Sequence, residues 1–368
     1  MAESLTNKKG KAPPGFAVRA ALALRKTFQR AADACVPSQL AAFEHLSGVA
    51  HTMIVGELAR LRIPDLVVER PLTAAELAEK LGTDADATMR LMRGAVVLGF
   101  FERDRGGRFR NNRLSRALLT GDLESVRAFA EYFASKSNVL AWADFPETIR
   151  TGKHAFERVH GKTVWEWFDE HPHERETFAH AMMTLTLVEA PGIASTYPFA
   201  EVQRVCDVGG GRGTLVGELL VHHPHLRAVL ADAPGVIASA KPQLAQRGVL
   251  DRVELVPSSF FESVPKGCDA YILKNILHDW DDARSITILK NVRAAMEKGQ
   301  RVLVVEALVE EDTEDLGAVS DLQMMVVCAE GRERGRADFA RLLGASGFRM
   351  ERTFECPTPV AVVEGIAI

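Results

Sequence analysis

The stretch LKNILHDWDD, residues 273–282, ends an apolar run with a dense group of polar side chains. The overlapping segment DAYILKNIL is typical of a buried β-strand. His278 should therefore emerge at the carboxyl end of a sheet, the edge where open α/β folds bind their ligands. An imidazole in that place is suited to accept a proton as a general base. Asp281 or Asp282 is then placed to cap the helix that follows.

A second group of candidate residues forms a glycine-rich turn, VCDVGGGRGTL, at residues 205–215. Its spacing differs from the G-x-G-x-x-G fingerprint of dinucleotide sites. Asp207 at its start would repel a pyrophosphate, which favours a cofactor with an amino-acid end and no phosphate. The next strand, LRAVLAD, ends in Asp232, whose carboxylate is suited to accept both hydroxyls of an adenosine ribose. The D-x-G-x-G-x-G loop and this acid indicate S-adenosylmethionine (SAM).

A further carboxylate follows a strand at the same edge of the sheet. The strand RVLVVE ends in Glu306, and we expect this side chain to orient the His278 imidazole and raise its pKa. The sequence has no cluster with the spacing of metal ligands. The predicted chemistry is therefore a proton transfer that uses no metal ion.

The elements that position these residues fall into two halves with different hydrophobic periods. From Phe16 to about Ala200, apolar residues recur at three- and four-residue spacing, which predicts a mostly helical half. After it, short β-rich runs alternate with amphipathic segments. This alternation predicts a doubly wound, mainly parallel α/β sheet, closed by a pair of strands in FRMERTFECPTPVAVVEGIAI.

Within the first half, a pattern of helix, turn, helix and hairpin is typical of a winged helix. Thr73 and Glu76 have the spacing of a capping box, and ERDRGGRFRNN predicts two strands around the Gly106–Gly107 turn. The arginines of this region leave open a DNA-binding regulator: Arg90, Arg93, Arg105, Arg108 and Arg110. The second helix is more apolar than a helix that reads bases, which favours packing and dimerisation.

Composition limits the classes of function. The chain has 368 residues, enough for two domains, and its 45 Lys and Arg against 49 Asp and Glu give a net charge of -4. This balance predicts no general attraction to nucleic acid, and no segment reaches the apolar length of a membrane span. The five widely spaced cysteines favour the reducing cytoplasm. Residues 1–14 are expected to be a disordered tail.

The motifs DVGGGRGTL, LADAP, SFFESVP, LKNILHDWDD, VLVVEA and GRERGRADFARLLGASGF occur in this order. Together they resemble the SAM-dependent O-methyltransferases that include plant caffeate and flavonoid enzymes and bacterial polyketide and hydroxyneurosporene-type enzymes. The resemblance covers nearly the whole chain and implies a Rossmann-like class I methyltransferase sheet after a winged-helix dimerisation domain. The implied divisions are a tail at 1–14, a dimerisation domain at 15–120, substrate-pocket linker helices at 121–196 and a SAM-binding catalytic domain at 197–368.

The resemblance also implies roles for single residues. The general base of the family falls on His278, and the two glutamates that flank it fall on Glu306 and Glu333. The cofactor contacts fall on Gly209, Gly211, Asp232, Phe260 and Lys274. The substrate-pocket positions fall on the linker helices, at Trp165, Phe168, Phe178, Met182 and Leu185.

One cofactor position departs from the family. Family members commonly carry an acid before the fourth strand that accepts from the adenine amino group, and Ser259 stands in its place. A neutral hydroxyl still accepts a hydrogen bond but loses about 1 kcal/mol of charge-assisted strength, so weaker or repositioned SAM binding is expected. This leaves open a SAM-binding relative that catalyses hydroxylation, decarboxylation or a pericyclic step.

The function that the resemblance implies is methyl transfer from SAM to a hydroxyl of an aromatic small molecule, of a phenolic or polyketide type. His278 would take the proton while Glu306 and Glu333 hold its imidazole and Asp232 fixes SAM. The helical half is expected to form a homodimer whose interface closes part of the pocket. Neither nucleic acid nor a membrane is expected as a partner.

Overall fold

The N-terminal half is almost entirely helical, as its hydrophobic period predicts. The computed structural model describes residues 15–121, 125–313 and 316–368, so the tail predicted at residues 1–14 lies outside the described residues. The first elements are α1 (Gly15–Ala34), α2 (Ser38–Leu46), α3 (Gly48–Arg60), α4 (Ile63–Leu66), α5 (Ala74–Leu81), α6 (Ala85–Val97), β1 (Phe101–Arg103), β2 (Phe109–Asn111) and α7 (Arg113–Arg116).

The predicted arrangement of helix, turn, helix and hairpin is present in this half. The Thr73 hydroxyl accepts the Glu76 N–H at 3.3 Å and the Glu76 carboxylate accepts the Thr73 N–H at 2.7 Å, so α5 begins with the predicted capping box. β1 and β2 pair antiparallel, as predicted. In α6, Met92 and Ala95 are fully buried. The apolar side of α6 therefore packs into its own domain.

A set of helices links the two halves: α8 (Arg127–Phe133), α9 (Lys136–Ala143), α10 (Phe145–Thr151), α11 (Ala155–His160), α12 (Val164–Glu170) and α13 (Pro172–Thr196). The long helix α13 belongs to two cores. Ala181 packs with the aromatic side chains of the linker helices, whereas Ala190 and Ile193 pack against the sheet of the C-terminal half. α13 therefore fixes the linker helices relative to the sheet.

The C-terminal half is a sheet of seven strands with helices on both faces. The strands are β3 (Arg204–Val208), β4 (Arg227–Asp232), β5 (Val253–Pro257), β6 (Ala270–Lys274), β7 (Arg301–Ala307), β8 (Phe348–Glu355) and β9 (Val360–Ala367), in the order β5-β4-β3-β6-β7-β9-β8. β3 to β7 run parallel, and β9 pairs antiparallel with both β7 and β8. The predicted mainly parallel sheet and its closing pair of strands are confirmed.

Apolar helices cover both faces of this sheet. Its helices are α14 (Thr214–His222), α15 (Pro234–Gln246), α16 (Asp282–Ala294), α17 (Leu316–Val327) and α18 (Arg336–Ala345), with short 3₁₀ turns at Phe199–Glu201, Leu250–Arg252 and Leu277–Asp279. Because both faces of the sheet are buried, the sequences of the central strands are continuous apolar runs. Polar side chains occur where these strands end. No helix among the described residues is long and apolar enough to cross a membrane.

Candidate active site

The carboxyl ends of the parallel strands bring the candidate polar residues to one edge of the sheet. β3 runs into the glycine loop, β4 ends at Asp232, β6 ends at Lys274 and β7 carries Glu306 near its end. β4 and β6 lie on opposite sides of β3, so the chain connections diverge there and leave a crevice. In the described part of the chain, no three His, Cys, Asp or Glu side chains are grouped to hold a metal ion.

The glycine loop packs closely against its neighbours on one side and is open on the other. Gly209 has a φ of 73°, and a Cβ there would lie 2.5 Å from Ile276 Cδ1. A Cβ at Gly210 would lie 2.4 Å from Asp207 Oδ2. A Cβ at Gly211 would have no described atom within 4 Å. The open side at Gly211 lets a ligand approach the backbone closely.

Asp232 holds the glycine loop through the backbone. Its Oδ2 accepts the Gly211 N–H at 2.8 Å and its Oδ1 accepts the Ala233 N–H at 2.6 Å. Burial raises the pKa of Asp232, and these two hydrogen bonds oppose that shift. Each oxygen keeps a further lone pair, so the carboxylate can still accept ribose hydroxyls. The sequence pattern predicted the ribose contact but did not indicate the contact with the loop.

Buried charges lie beside the glycine loop. Asp207 is buried, and its Oδ2 has no hydrogen-bond partner among the described residues. Burial raises the pKa of Asp207 to about 7, although the Lys274 charge opposes the shift. Lys274 Nζ lies 2.8 Å from Oε2 of Glu189, a buried residue of α13 that sequence reasoning missed. The methionine end of SAM carries an ammonium and a carboxylate. The ammonium is suited to the unpaired oxygen of Asp207, and the carboxylate is suited to the cation of Lys274.

Ser259 and Phe260 follow β5 and lie next to Asp232 and the glycine loop. The Ser258 N–H donates to the Asp232 carbonyl at 2.9 Å, which fixes the start of this segment. Phe260 is half-buried, and its Cε1 would lie 3.4 Å from a Cβ at Gly209. Ser259 is exposed. Phe260 is therefore placed to cover a flat ring held against the loop.

Arg212 ties the glycine loop to helix α13. Its guanidinium lies 3.1 Å from His180 Nε2 and also pairs with Glu176. Both partners lie on the helix that carries the candidate substrate residues Phe178 and Met182. The glycine loop and the helix that carries these candidate residues are therefore directly connected.

His278 lies in the 3₁₀ turn Leu277–Asp279, directly after β6. Its Nδ1 is 3.1 Å from Glu333 Oε1. The Ser320 hydroxyl donates to the same oxygen at 2.8 Å, and the Asp321 carboxylate accepts the Glu333 N–H at 2.8 Å. Glu333 is thus fixed from α17, and it holds the imidazole by one ring nitrogen.

Glu306 makes a different contact from the one expected. Its Oε1 accepts the backbone N–H groups of Ile276, Leu277 and His278 at 3.2, 2.7 and 3.2 Å. A short turn leaves its first N–H groups without internal partners, as a helix N-terminus does, and a buried carboxylate satisfies them. Glu306 therefore supports the backbone of the turn, and only Glu333 of the two glutamates hydrogen-bonds to the His278 ring.

The acids that follow His278 have three different contacts. Asp279 Oδ1 lies 3.6 Å from His278 Nε2 and accepts a hydrogen bond from Cys328 Sγ at 3.4 Å. Asp281 caps α16, since its Oδ1 accepts the Arg284 N–H at 2.7 Å. Asp282 instead pairs with arginine side chains. Sequence reasoning gave Asp279 no role, and its position directly after the predicted base was the available signal.

The surrounding carboxylates determine the charge of His278. Burial alone would lower its pKa, but the negative charges of Glu333, of Asp279 and, as expected, of Glu306 outweigh burial and raise the pKa to about 10. Burial disfavours the Glu333 carboxylate, yet the His278 charge holds the pKa of Glu333 below its ordinary value. Burial raises the pKa of Glu306 to about 7 against the effect of the His278 charge. The imidazole is therefore a stronger base than a free histidine.

Aromatic side chains of α12 and α13 lie next to this turn. The rings of Trp165 and Trp280 are stacked with centroids 6.1 Å apart, and Trp165 also meets Phe178 at 6.0 Å. Phe168 stacks on Phe178 at 5.0 Å but is itself buried in the core of the linker helices. The remaining candidates, Met182 and Leu185, are half-buried on α13. Trp165 is thus the candidate substrate residue that contacts the segment carrying His278.

Comparisons with known proteins cover both halves of the chain. Residues 142–349 match the family described as the O-methyltransferase domain, and residues 43–121 match the O-methyltransferase dimerisation domain. Over 322 residues the chain is 36% identical to the mitomycin biosynthesis 6-O-methyltransferase of Streptomyces lavendulae, which covers 87% of this chain and 92% of that relative.

Solved structures with the same fold include that of LaPhzM, with a TM-score of 0.87 and 34% identity over 90% of this chain and all of the other. Another is the O-methyltransferase NcsB1 from neocarzinostatin biosynthesis, in complex with SAM and 2-hydroxy-5-methyl naphthoic acid. Its TM-score is 0.75, at 30% identity over 87% of this chain and 96% of the other. The chain therefore belongs to the family of SAM-dependent O-methyltransferases that carry an N-terminal dimerisation domain.

Proposed function

We propose that this enzyme transfers the methyl group of SAM to a hydroxyl of an aromatic small molecule, with His278 as the general base. The observation that carries the proposal is the His278 imidazole held by Glu333, 3.1 Å away, at the edge of the cofactor crevice. The relatives support an aromatic acceptor, since one acts in mitomycin biosynthesis and another was solved with a hydroxylated naphthoic acid.

The residues proposed to hold SAM surround the glycine loop. Asp232 would accept from the ribose, Phe260 would cover the adenine, and Ser259 would take the place of the family acid. Gly209 and Gly211 allow close approach, and Asp207 and Lys274 would meet the amino-acid end. When bound, SAM supplies a methyl group already activated by the positive sulfur, so the protein must mainly align the acceptor and remove its proton.

The contacts of His278 define how it would move that proton. Because Nδ1 faces Glu333 Oε1, the neutral ring carries its hydrogen on Nδ1 and leaves Nε2 as the acceptor. Asp279 Oδ1, at 3.6 Å from Nε2, is too distant for a strong hydrogen bond and leaves that nitrogen available. Proton uptake at Nε2 creates an imidazolium beside the Glu333 carboxylate, which stabilises it.

The aromatic wall supports the choice of acceptor class. Trp165 and Trp280 present flat apolar surfaces beside the His278 turn, and Phe178 extends this wall through its contact with Trp165. Flat aromatic acceptors bury large apolar area against such side chains and gain offset or edge-to-face contacts. We propose that Trp165, Phe178, Met182 and Leu185 line the acceptor pocket, while Phe168 supports Phe178 from the core.

An acceptor panel tests the proposed reaction. We expect at least one phenolic acceptor to gain one methyl group by mass, with one S-adenosylhomocysteine formed per methylated product. The same acceptor already methylated at that hydroxyl is the matched control and should give no turnover. Hydroxylated or decarboxylated product without methyl gain would instead identify a SAM-binding relative that performs another reaction.

The N-terminal helices support a homodimer. Apolar side chains on α1 and α2 are exposed in the single chain, including Phe28 at 65%, Phe43 at 67% and Leu46 at 78%. Exposed apolar surface of this kind marks an interaction site, and the matched dimerisation region begins at residue 43. We propose that a second copy covers this surface and closes part of the pocket.

Charged substitutions test the proposed dimer. The double variant Phe28→Asp/Phe43→Asp should sediment as a monomer with reduced activity, because it places two charges in an apolar interface. Val221→Asp, which places one such charge at an exposed site on α14, should leave the dimer intact. A wild-type protein that sediments as a fully active monomer would contradict the proposal.

We propose the same domain limits that the sequence predicts: a dimerisation domain at 15–120, linker helices at 121–196 and a SAM-binding catalytic domain at 197–368. The end of α13 at Thr196 supports the last of these, since the sheet begins soon after it. The five cysteines carry free thiols. Free thiols support the proposal that the enzyme works in the reducing cytoplasm.

A further inference from the structure

Arg334 is a fully buried arginine next to Glu333, and the proposed reaction gives it no part. Its side chain is 0% exposed. A guanidinium is charged at all relevant pH values, so its burial is tolerated only where its N–H donors meet acceptors. The acceptors that it meets therefore indicate what the residue does.

The guanidinium of Arg334 binds both sides of the His278 turn. Nη1 donates to the Leu277 carbonyl at 2.8 Å, and Nη2 donates to the Trp280 carbonyl at 2.7 Å. Nε and Nη2 also lie 3.2 and 3.0 Å from Asp282 Oδ1. The two carbonyls belong to the residue before His278 and to the second residue after it. One planar group therefore fixes the backbone on both sides of the imidazole.

Other contacts hold the same turn from its remaining sides. Glu306 accepts the N–H groups of residues 276–278, and the Arg332 N–H donates to the His278 carbonyl at 2.8 Å. A Cβ at Gly331 would lie 2.6 Å from that carbonyl oxygen, so the segment of residues 331–334 runs tightly along the turn. The N–H groups at the start of the turn are thus bound by the Glu306 carboxylate. The Leu277 and Trp280 carbonyls are bound by the Arg334 guanidinium, and the His278 carbonyl by a backbone N–H.

We propose that Arg334 is a positioning residue, which holds the His278 turn so that the imidazole faces the methyl acceptor. Burial raises the pKa of Glu306 to about 7, and the Arg334 charge opposes that shift. Burial also disfavours the Glu333 carboxylate, and the Arg334 charge adds to the larger effect of His278 that holds the pKa of Glu333 below its ordinary value. Arg334 thus helps to keep ionised the carboxylate that orients the ring. The inference rests on the proposed role of His278 as the base.

Rate and cofactor affinity, measured separately, test this role. Arg334→Gln should lower kcat by about 100-fold, since a shift of the turn by about 1 Å misplaces the base, while the Kd for SAM stays unchanged. Arg334→Lys keeps the charge but loses the planar fork and should give an intermediate loss. Arg341→Gln removes a half-exposed guanidinium that pairs with Oδ2 of Asp282 and with Asp338 on the outer side of the site, and it should keep the wild-type rate.

Further variants keep the outcomes distinct. If Arg334→Gln does not fold, Arg334→Lys and Asp282→Asn decide. The first weakens the bonds to the two carbonyls, and the second weakens the carboxylate contact that orients the guanidinium. Both should lower kcat with SAM affinity unchanged. Folded variants with the wild-type kcat, or with SAM affinity falling in step with kcat, would overturn the inference. His278→Ala is measured in parallel. If His278→Ala keeps the wild-type rate, the proposed base is wrong. If His278→Ala loses activity while the Arg334 variants keep the wild-type rate, only the proposed role of Arg334 is wrong.

Discussion

His278→Ala should lower the rate of methyl transfer by a factor of about 10² to 10⁴, the usual contribution of a positioned general base. The affinity for SAM should stay unchanged, because the proposed cofactor contacts lie on the glycine loop, at the ends of β4 and β6, and in the segment after β5. The measurement is single-turnover transfer to a phenolic acceptor at saturating SAM. His222→Ala, a histidine on α14 paired with Glu218, is the matched control and should have no effect.

The pH dependence gives the same prediction a second readout. A base must be neutral to accept a proton, and the pKa of His278 is raised to about 10, so the wild-type rate should rise with pH through the neutral range. This rise should be absent in His278→Ala with an acceptor whose own hydroxyl does not ionise in that range. Equal rates and equal pH profiles for the two proteins would exclude His278 as the base.

Lys274→Met should destabilise the protein by about 3–5 kcal/mol and abolish SAM binding. The change leaves Glu189 buried without its partner 2.8 Å away, and an uncompensated buried charge carries a cost of that size. It also removes the cation that opposes the raised pKa of Asp207. Urea unfolding and SAM titration measure the two effects. Lys290→Met, at an exposed site on α16, serves as the control and should change neither.

The double variant Lys274→Met/Glu189→Leu separates stability from binding. Removing both charges should restore much of the free energy of unfolding, since an apolar pair of similar volume often replaces a buried ion pair without loss. SAM binding should remain absent, because the amino-acid end of SAM has lost Lys274, its proposed cationic partner. Recovery of SAM binding in the double variant would show that Lys274 serves only to neutralise Glu189.

Local sequence signals predicted those parts of the molecule that depend on local chemistry. The capping box at Thr73 and Glu76, the alternation of strands and helices, and the glycine loop all act over a few residues. The strand ends placed His278, Asp232 and Glu306 at one edge of the sheet. The spacing of capping residues, the hydrophobic period and the position of strand ends follow from backbone geometry, so the sequence alone predicts them.

The remaining contacts depend on segments that meet only in the folded chain. Glu189 pairs with Lys274 across the interface of α13 and the sheet, and Arg334 reaches the turn from a loop beyond α17. Glu306 was correctly placed at the strand end, but its carboxylate meets the N–H groups of the turn and not the ring. A strand-end position predicts the edge of the sheet and does not predict which atoms of a neighbouring turn the side chain will reach.

The His278 turn is held almost entirely by its main chain, and this has an evolutionary consequence. Glu306 binds N–H groups of residues 276–278, and Arg334 binds carbonyls of residues 277 and 280. Every amino acid except proline offers these same atoms. The side chain of Trp280 can therefore change in size and shape while the imidazole keeps its place. A proposed base held in this way, beside an exchangeable aromatic wall, would let one scaffold acquire new acceptors without rebuilding its chemistry.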